Sequence, residues 1–433
     1  MKRLAIFTII MAVICRIAAA SAVDEHLDSL SHSRQFITTG GQTLSRAEAD
    51  SLTRVIYGFY YNQFRHSQDP DAPYFMFISK DANVMMGIGG VVRMRGWYDW
   101  GGAIPANGFA PALIPIPADP ARSRHLGTSP SGTSLYFRLI GTNKVLGEYQ
   151  LYIEANFNGY SSRDFQLKKA YAQLHDFTVG YAPSTFSDPA AIPPTVDAQG
   201  PSNKISPTAV LVRWMPQFGK WSLAVSAETP DGVISVDDSF TAKSSQWLPD
   251  GAAFVQYGWA SGQHIRLAGT VRGLSYRDLV AGRNRTVAGW GLQLSSVAHP
   301  WHPITTYLSA CYGHGIGSLT NDLMVVTSDL EPDNNTPGRL YATAGWGYCA
   351  GVQYNFTPDL FCSAQFSQTT LQKKSGHQLP DDYKYGWCAS ANIFWNPTPR
   401  LQLGAEIDFA KRENQSGAHR YARRAGALVQ FSF

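Results

Sequence analysis

The feature that most restricts this chain is a two-residue rhythm running from residue 83 to the C-terminus. In VMMGIGGVVRMRGWYDWG, Val92, Met94 and Tyr98 fall on one parity and Arg93, Arg95 and Asp99 on the other. GEYQLYIEANF sets Tyr149, Leu151, Ile153, Ala155 and Phe157 against Glu148, Gln150, Tyr152, Glu154 and Asn156. RLQLGAEIDFA opposes Leu401, Leu403, Ala405, Ile407 and Phe409 to Gln402, Gly404, Glu406 and Asp408. Successive side chains of a strand point to opposite faces, so each segment has one apolar and one polar side. A soluble sheet can produce one such strand. A whole chain of them, about ten residues each, predicts a wall between hydrocarbon and water.

The terminal stretch GALVQFSF carries the rhythm to the last residue, with Val429, Phe431 and Phe433 on one face. In water an exposed apolar edge invites aggregation. A last strand that closes a cylinder pairs its edge and turns that face to lipid, where every backbone group must be paired. A terminal Phe after alternating apolar residues also resembles the signal read by the outer-membrane barrel assembly machinery.

Composition agrees. Only 16% of residues are charged and 12% are aromatic, against roughly 25% charged in soluble domains. Beyond the leader no apolar run reaches the roughly 20 residues of a membrane helix. The predicted fold is all-β: a closed antiparallel transmembrane β-barrel of about 16 strands over 74–433, with a short N-terminal helical segment. The strands run from 83–99 to 420–433, with 252–259, 263–274 and 284–295 mid-chain. Short turns such as Thr142-Asn143-Lys144 and Thr357-Pro358-Asp359 alternate with long segments at 100–132, 183–206, 229–251 and 314–342. Short periplasmic turns and long outer loops are the expected asymmetry. Trp97, Trp100, Trp346, Tyr385, Trp387 and Trp395 gather near strand ends, where rings settle at headgroup level.

Met1, Lys2 and Arg3, an apolar stretch from Leu4 to Cys15, and Ala20-Ser21-Ala22 form an export signal over 1–22. Arg16 interrupts the apolar run. Removing the signal lowers the formal net charge from +4 to +1, so bulk charge gives no reason to expect nucleic acid. In the periplasmic segment 23–73, Ser45-Arg46-Ala47-Glu48 is a capping box, and Leu52, Val55 and Phe59 follow at helical spacing.

Residues 141–200 resemble the DcaP-type porins, trimeric sixteen-stranded channels of Gram-negative outer membranes. LYIEANFNG, LKKAYAQLHDFTVGYAPSTFSDP and Pro194-Thr195-Val196-Asp197 carry the resemblance, and YGHGIGSLTNDL at 312–323 resembles a later family segment. After the fifth strand this chain departs from the family pattern with Tyr181-Ala182-Pro183. The resemblance implies a homotrimer and a constriction loop in the segment after that strand.

The residues name the same segment. PSTFSDPAAIPPTVDAQGPSNKIS (183–206) is too polar and Pro-rich to span lipid and long enough to enter the lumen, although an ordinary outer loop would read the same way. Parity places Arg93, Arg95, Arg138, Arg213, Arg266, Arg272 and Arg424 away from lipid, because an intramembrane arginine must face water or a partner. A ring of such cations favours anions. Asp188 and Asp197 on the loop would then complete a transverse field. The plainer alternative pairs each arginine with an inward carboxylate among Asp99, Glu148, Glu154, Glu228, Glu406 and Asp408.

Other patterns are weaker. Asp329, Glu331, Asp333 and Asn335 alternate like Ca²⁺ ligands but read as a solvated acidic loop. GHGIGS lacks the lysine of a phosphate cradle. His175-Asp176 falls at a predicted turn. Cys311, Cys349, Cys362 and Cys388 read as wall residues, with a Cys311–Cys349 disulfide as the alternative in an oxidising compartment. The expectation is a passive channel for small hydrophilic, anionic solutes, with no cofactor, metal or catalytic residue. A barrel hydrolase would need a clustered nucleophile and base, and a structural or adhesive barrel would not conduct.

Overall fold

The computed structural model describes residues 35–38, 75–79 and 84–433, apart from 105, 144, 146, 158–163 and 238. Sixteen antiparallel strands close into one barrel. They are β1 (Val84–Trp100), β2 (Ser134–Asn143), β3 (Gly147–Phe157), β4 (Phe165–Leu174), β5 (Phe177–Pro183) and β6 (Thr208–Trp214). Then follow β7 (Trp221–Glu228), β8 (Asp250–Ala260), β9 (Gln263–Asp278), β10 (Arg283–Trp301) and β11 (Ile304–His314). The last five are β12 (Ala344–Asn355), β13 (Leu360–Gln372), β14 (Tyr383–Thr398), β15 (Leu401–Asn414) and β16 (His419–Ser432). Each strand pairs with its sequence neighbour, and β16 closes on β1 from Arg423–Trp100 to Ser432–Val91.

The closure leaves no edge in lipid. Where β16 ends, Phe433 exchanges two backbone hydrogen bonds of 3.0 Å with Gly90. Beyond that point the strand Phe75–Ile78 takes over the same edge of β1, pairing Met76–Gly87 through Ile78–Met85. The upper half of β1 pairs with a strand Arg124–Ser129, which lies within the segment expected to be loop. The export signal and the helix expected around Leu52, Val55 and Phe59 lie outside the described residues, among which there is no α-helix.

The expected parity holds. Val92, Met94 and Val429 are 56%, 52% and 51% exposed on the outer face, while Arg95, Asp99 and Arg424 are buried inside. Two strands run past their expected bounds, at opposite ends: β9, expected to stop at 274, remains paired with β10 up to Asp278–Arg283, and β10, expected to stop at 295, continues to Trp301. Their tip carries Arg277, Asp278 and Arg285, with Asp278 bonded to Arg285 at 2.5 Å. Above the bilayer neither face meets lipid, so the alternation lapses while the ladder continues.

Cys311 lies opposite Gly347 and Cys349 opposite Ser309. Both thiols are free, so the alternative disulfide is absent. The Asp329–Asn335 stretch is neither a cation cage nor a solvated loop. Asp329 meets Arg272 at 3.2 Å, Glu331 meets Lys373 at 3.2 Å, and Asp333 clasps Lys374 at 2.5 Å and His377 at 2.9 Å. Three carboxylates thus clip one outer loop to four side chains, Arg272, Lys373, Lys374 and His377. Among the described residues no His, Cys, Asp or Glu group converges as metal ligands would.

Candidate functional site

The segment between β5 and β6, residues 184–207, folds into the lumen and is held there at both ends. Its prolines remove backbone donors, and its remaining polar groups have no ladder to join, so the wall must satisfy them. At the base, Glu228 accepts from Thr185 N at 2.8 Å. Asp188 bonds His264 Nε2 at 2.9 Å, accepts from Ser295 Oγ at 2.5 Å and lies 3.6 Å from Arg266. At the tip, Glu406 accepts from the backbone N–H groups of Val196 and Asp197 at 2.9 and 2.7 Å. Ser363 and Asn392 donate to Pro194 O, each at 2.9 Å.

Wall glycines make room for this loop. A Cβ on Gly351 would stand 2.8 Å from Pro193 Cβ, and one on Gly347 would stand 2.6 Å from Asn203. At both positions the side chain is missing because another segment approaches closely.

The predicted site residues divide into groups. Arg93 and Arg95 line a cavity of about 450 Å³ between the inner loop and the wall of β1 to β4. Arg93 Nε donates to Gln430 at 2.7 Å. Arg95 donates to Val196 O at 2.7 Å and Ser131 O at 2.8 Å, bridging wall and loop tip. Arg424 is a buried knot: it grips Asp99 through 2.7 and 3.0 Å contacts and Asp197 through one of 2.8 Å. Arg266 holds Ser187 O at 3.0 Å, and Arg213 holds Pro183 O at 3.1 Å. Arg138 lies over the Tyr152 ring at 4.9 Å, deep in the wall. Arg272 ties Asp250 at 2.9 Å to the outer loop at Asp329. Asp188 and Asp197 both serve as loop anchors in this arrangement.

Parity reasoning missed three cations of the cavity: Lys168, Lys169 and Lys204. Strict alternation would send one of Lys168 and Lys169 to lipid. A bulge intervenes, since Glu154 pairs with Lys169 and Ala155 with Leu167, leaving Lys168 as the extra residue. Both ammonium groups then reach Glu154, at 2.7 and 3.6 Å. The one sequence signal was the Lys-Lys doublet, which breaks the rhythm. Lys204 sits on the returning limb of the loop, where no periodicity exists to read.

Burial pushes the Lys204 ammonium down to about 8; Asp197 and Asp322 draw it back up and Arg95 adds to the depression. For Asp188, burial alone would raise the carboxyl. Arg266, His264 and Ser295 outweigh it and hold the group well below the usual carboxylate range.

A closed sixteen-stranded wall with a loop folded across a polar lumen defines a channel of the bacterial outer membrane. The chain belongs to the porin family described as Porin_2, the Porin subfamily, whose model matches residues 141–428. The structure is similar to the outer-membrane channel DcaP of Acinetobacter baumannii, with a TM-score of 0.71 and 20% identity over 82% of this chain and 99% of that one. It is also similar to an anion-selective porin from Comamonas acidovorans, with a TM-score of 0.54 and 10% identity over 81% of this chain and 100% of that one. No curated protein sequence matches the chain. The resemblance read from the residues around 141–200 is upheld in both family and fold.

Proposed function

We propose that this porin is a passive diffusion channel preferring small hydrophilic anions, carboxylates among them. One observation carries the reading: Arg93, Arg95, Lys168, Lys169 and Lys204 line the cavity beside the inner loop, and among the described residues no Asp or Glu lines it, Glu154 meeting the two lysines from within the wall. Cations crowded at a narrow, low-dielectric wall raise the local anion concentration and repel cations. The arginine fork matches a carboxylate's two oxygens. Nothing in this mechanism calls for a cofactor or an energy source.

The same reading includes a homotrimer. The strands β5, β6 and β7 have only 7, 7 and 8 residues. Tilted at about 40°, such strands rise roughly 20 Å at most, short of an apolar band about 25 Å tall. Exposed Val179, Val210, Val212 and Trp214 on that low wall suit cover by another copy. Export through a cleaved signal over 1–22, and assembly guided by the strand ending at Phe433, complete the proposal.

The test is a reversal potential in planar bilayers under a salt gradient. The expected sign is that of an anion-preferring pore. A value near zero, or of the opposite sign, overturns the preference and leaves the pore; absence of conductance overturns the pore itself.

A further inference from the structure

One carboxylate of the lumen wall is left without a counter-charge. Register sets Gln365, Ser390, Asp408, Arg424 and Asp99 in one inward row across β13, β14, β15, β16 and β1. Asp408 is buried and has a cation as its neighbour on β16, yet Arg424 turns the other way. All three guanidinium nitrogens are committed to Asp99, Asp197 and the carbonyls of Ile104, Ala106 and Asn107. Asp408 therefore joins no ion pair among the described residues, and its Oδ2 is buried with no hydrogen-bond partner.

The next two residues of the row share that condition. Ser390 Oγ and Gln365 Oε1 have no hydrogen-bond partner, and each side chain belongs to a residue only 6% exposed. Gln365 Nε2 lies 3.9 Å from Cys388 Sγ, so its amide hangs over the strand that carries Ser390. Neighbouring strands are about 4.8 Å apart, a span that lets Gln365 and Asp408 reach over Ser390 from either side. The row is enclosed. On its outer side Cys388, Ala410 and Ala422 pack under Ile104, Phe109 and Ile114. On its periplasmic side Ser363, Asn392 and Glu406 hold the tip of the inner loop.

Neither hydrogens nor charges balance here. The carboxylate and the amide oxygen can only accept, and the Ser390 hydroxyl brings a single hydrogen for both. Asp99, Asp197, Glu406 and Asp408 are buried with two guanidiniums, Arg95 and Arg424, and an unpaired buried charge is strongly unfavourable. A water molecule would satisfy the hydrogen bonds and leave the charge. A cation satisfies both, and the lumen is bathed in electrolyte at about 0.15 M. Glu406 is not a second carboxylate ligand, because its oxygens accept from Val196, Asp197 and Asn392. One carboxylate, one amide carbonyl and one hydroxyl fall short of the roughly six to eight oxygens that calcium takes, and their single charge matches a monovalent ion. We propose that Asp408, Ser390 and Gln365 bind a sodium-sized alkali cation, a fixed counter-charge in the wall between the two inserted segments. The inference is independent of the solute preference and of the cavity beside β1 to β4.

The experiment heats the full protein in detergent at constant ionic strength, with sodium chloride exchanged for N-methylglucamine chloride, whose cation is too large for the row. Unfolding is read by tryptophan fluorescence. For a site of about 10 mM affinity, about 300 mM sodium should raise the wild-type midpoint by about 3 °C. In crystals, thallium(I), an electron-dense alkali mimic, should give an anomalous-diffraction peak over Ser390. Asp408→Asn keeps the shape and removes the charge, so the sodium shift and the peak should both vanish. Gln365→Leu removes one neutral ligand, should weaken sodium about tenfold, and serves if Asp408→Asn folds poorly. An equal sodium shift in all three proteins, no shift in the wild type, or no peak in its crystals overturns the proposal. So does a wild-type midpoint indifferent to sodium but dependent on pH in a way that Asp408→Asn abolishes, which would put a proton on Asp408 instead.

Discussion

Replacing Lys204 by Gln removes one of five cavity cations without touching the membrane wall. For a solute ion passing about 6 Å away, at an effective dielectric of about 40, one unit charge contributes about 1.4 kcal/mol. At 0.15 M salt the Debye length is about 8 Å, which halves this to about 0.7 kcal/mol. The anion loses that attraction and the cation is spared the equal repulsion, so the anion-to-cation permeability ratio falls about tenfold. At 1 M salt screening shortens to about 3 Å and the change shrinks to about twofold. Because burial lowers the Lys204 ammonium to about 8, the charge is present below that pH and lost above it. The wild type should therefore be most anion-preferring at pH 6.5 and approach the variant by pH 9.5. Reversal potentials across this pH and salt grid check the claim. An unchanged ratio at 0.15 M, or a pH dependence that persists in the variant, would refute the reasoning.

Three further outcomes follow from the geometry. Glu406→Gln replaces a charged acceptor of two loop-tip N–H groups by a neutral one, weakening the anchorage by about 1–2 kcal/mol; open-channel current noise should rise. Gly351→Leu forces its side chain into Pro193, driving the inner loop toward β1 to β4, so single-channel conductance should drop; an unchanged conductance would show that the loop is not where the current is limited. Unfolding the mature protein without reductant should expose four alkylatable thiols, Cys311, Cys349, Cys362 and Cys388, with heat stability indifferent to reductant; a count of two would show a disulfide.

Much of the wall was readable because the bilayer tests each residue separately. Hydrocarbon on one side and solution on the other impose period two on every strand, so strand positions, strand count, long-loop placement and the inward parity of Arg93, Arg95 and Arg424 follow from local pattern. The same rule explains the short estimate for β9: its tip rises beyond the lipid, and the pattern that marked it ends with it. It also explains Lys168, since a one-residue bulge suspends the parity on which the reading depends.

Which inward charges pair with one another and which line the cavity was settled only by the tertiary structure. By parity Arg95 and Arg424 are equivalent, yet Arg424 is consumed by Asp99 and Asp197 while Arg95 lines the cavity. Asp197 lies 227 positions from Arg424 and Glu406 lies 209 from its loop-tip partner. Such pairings form across a lumen that exists only once sixteen strands have closed. The chain thus determines its own wall residue by residue, because lipid acts on each side chain alone. Which charges are left facing the cavity depends on where one irregular loop lies inside that wall, because charges neutralise one another only by proximity.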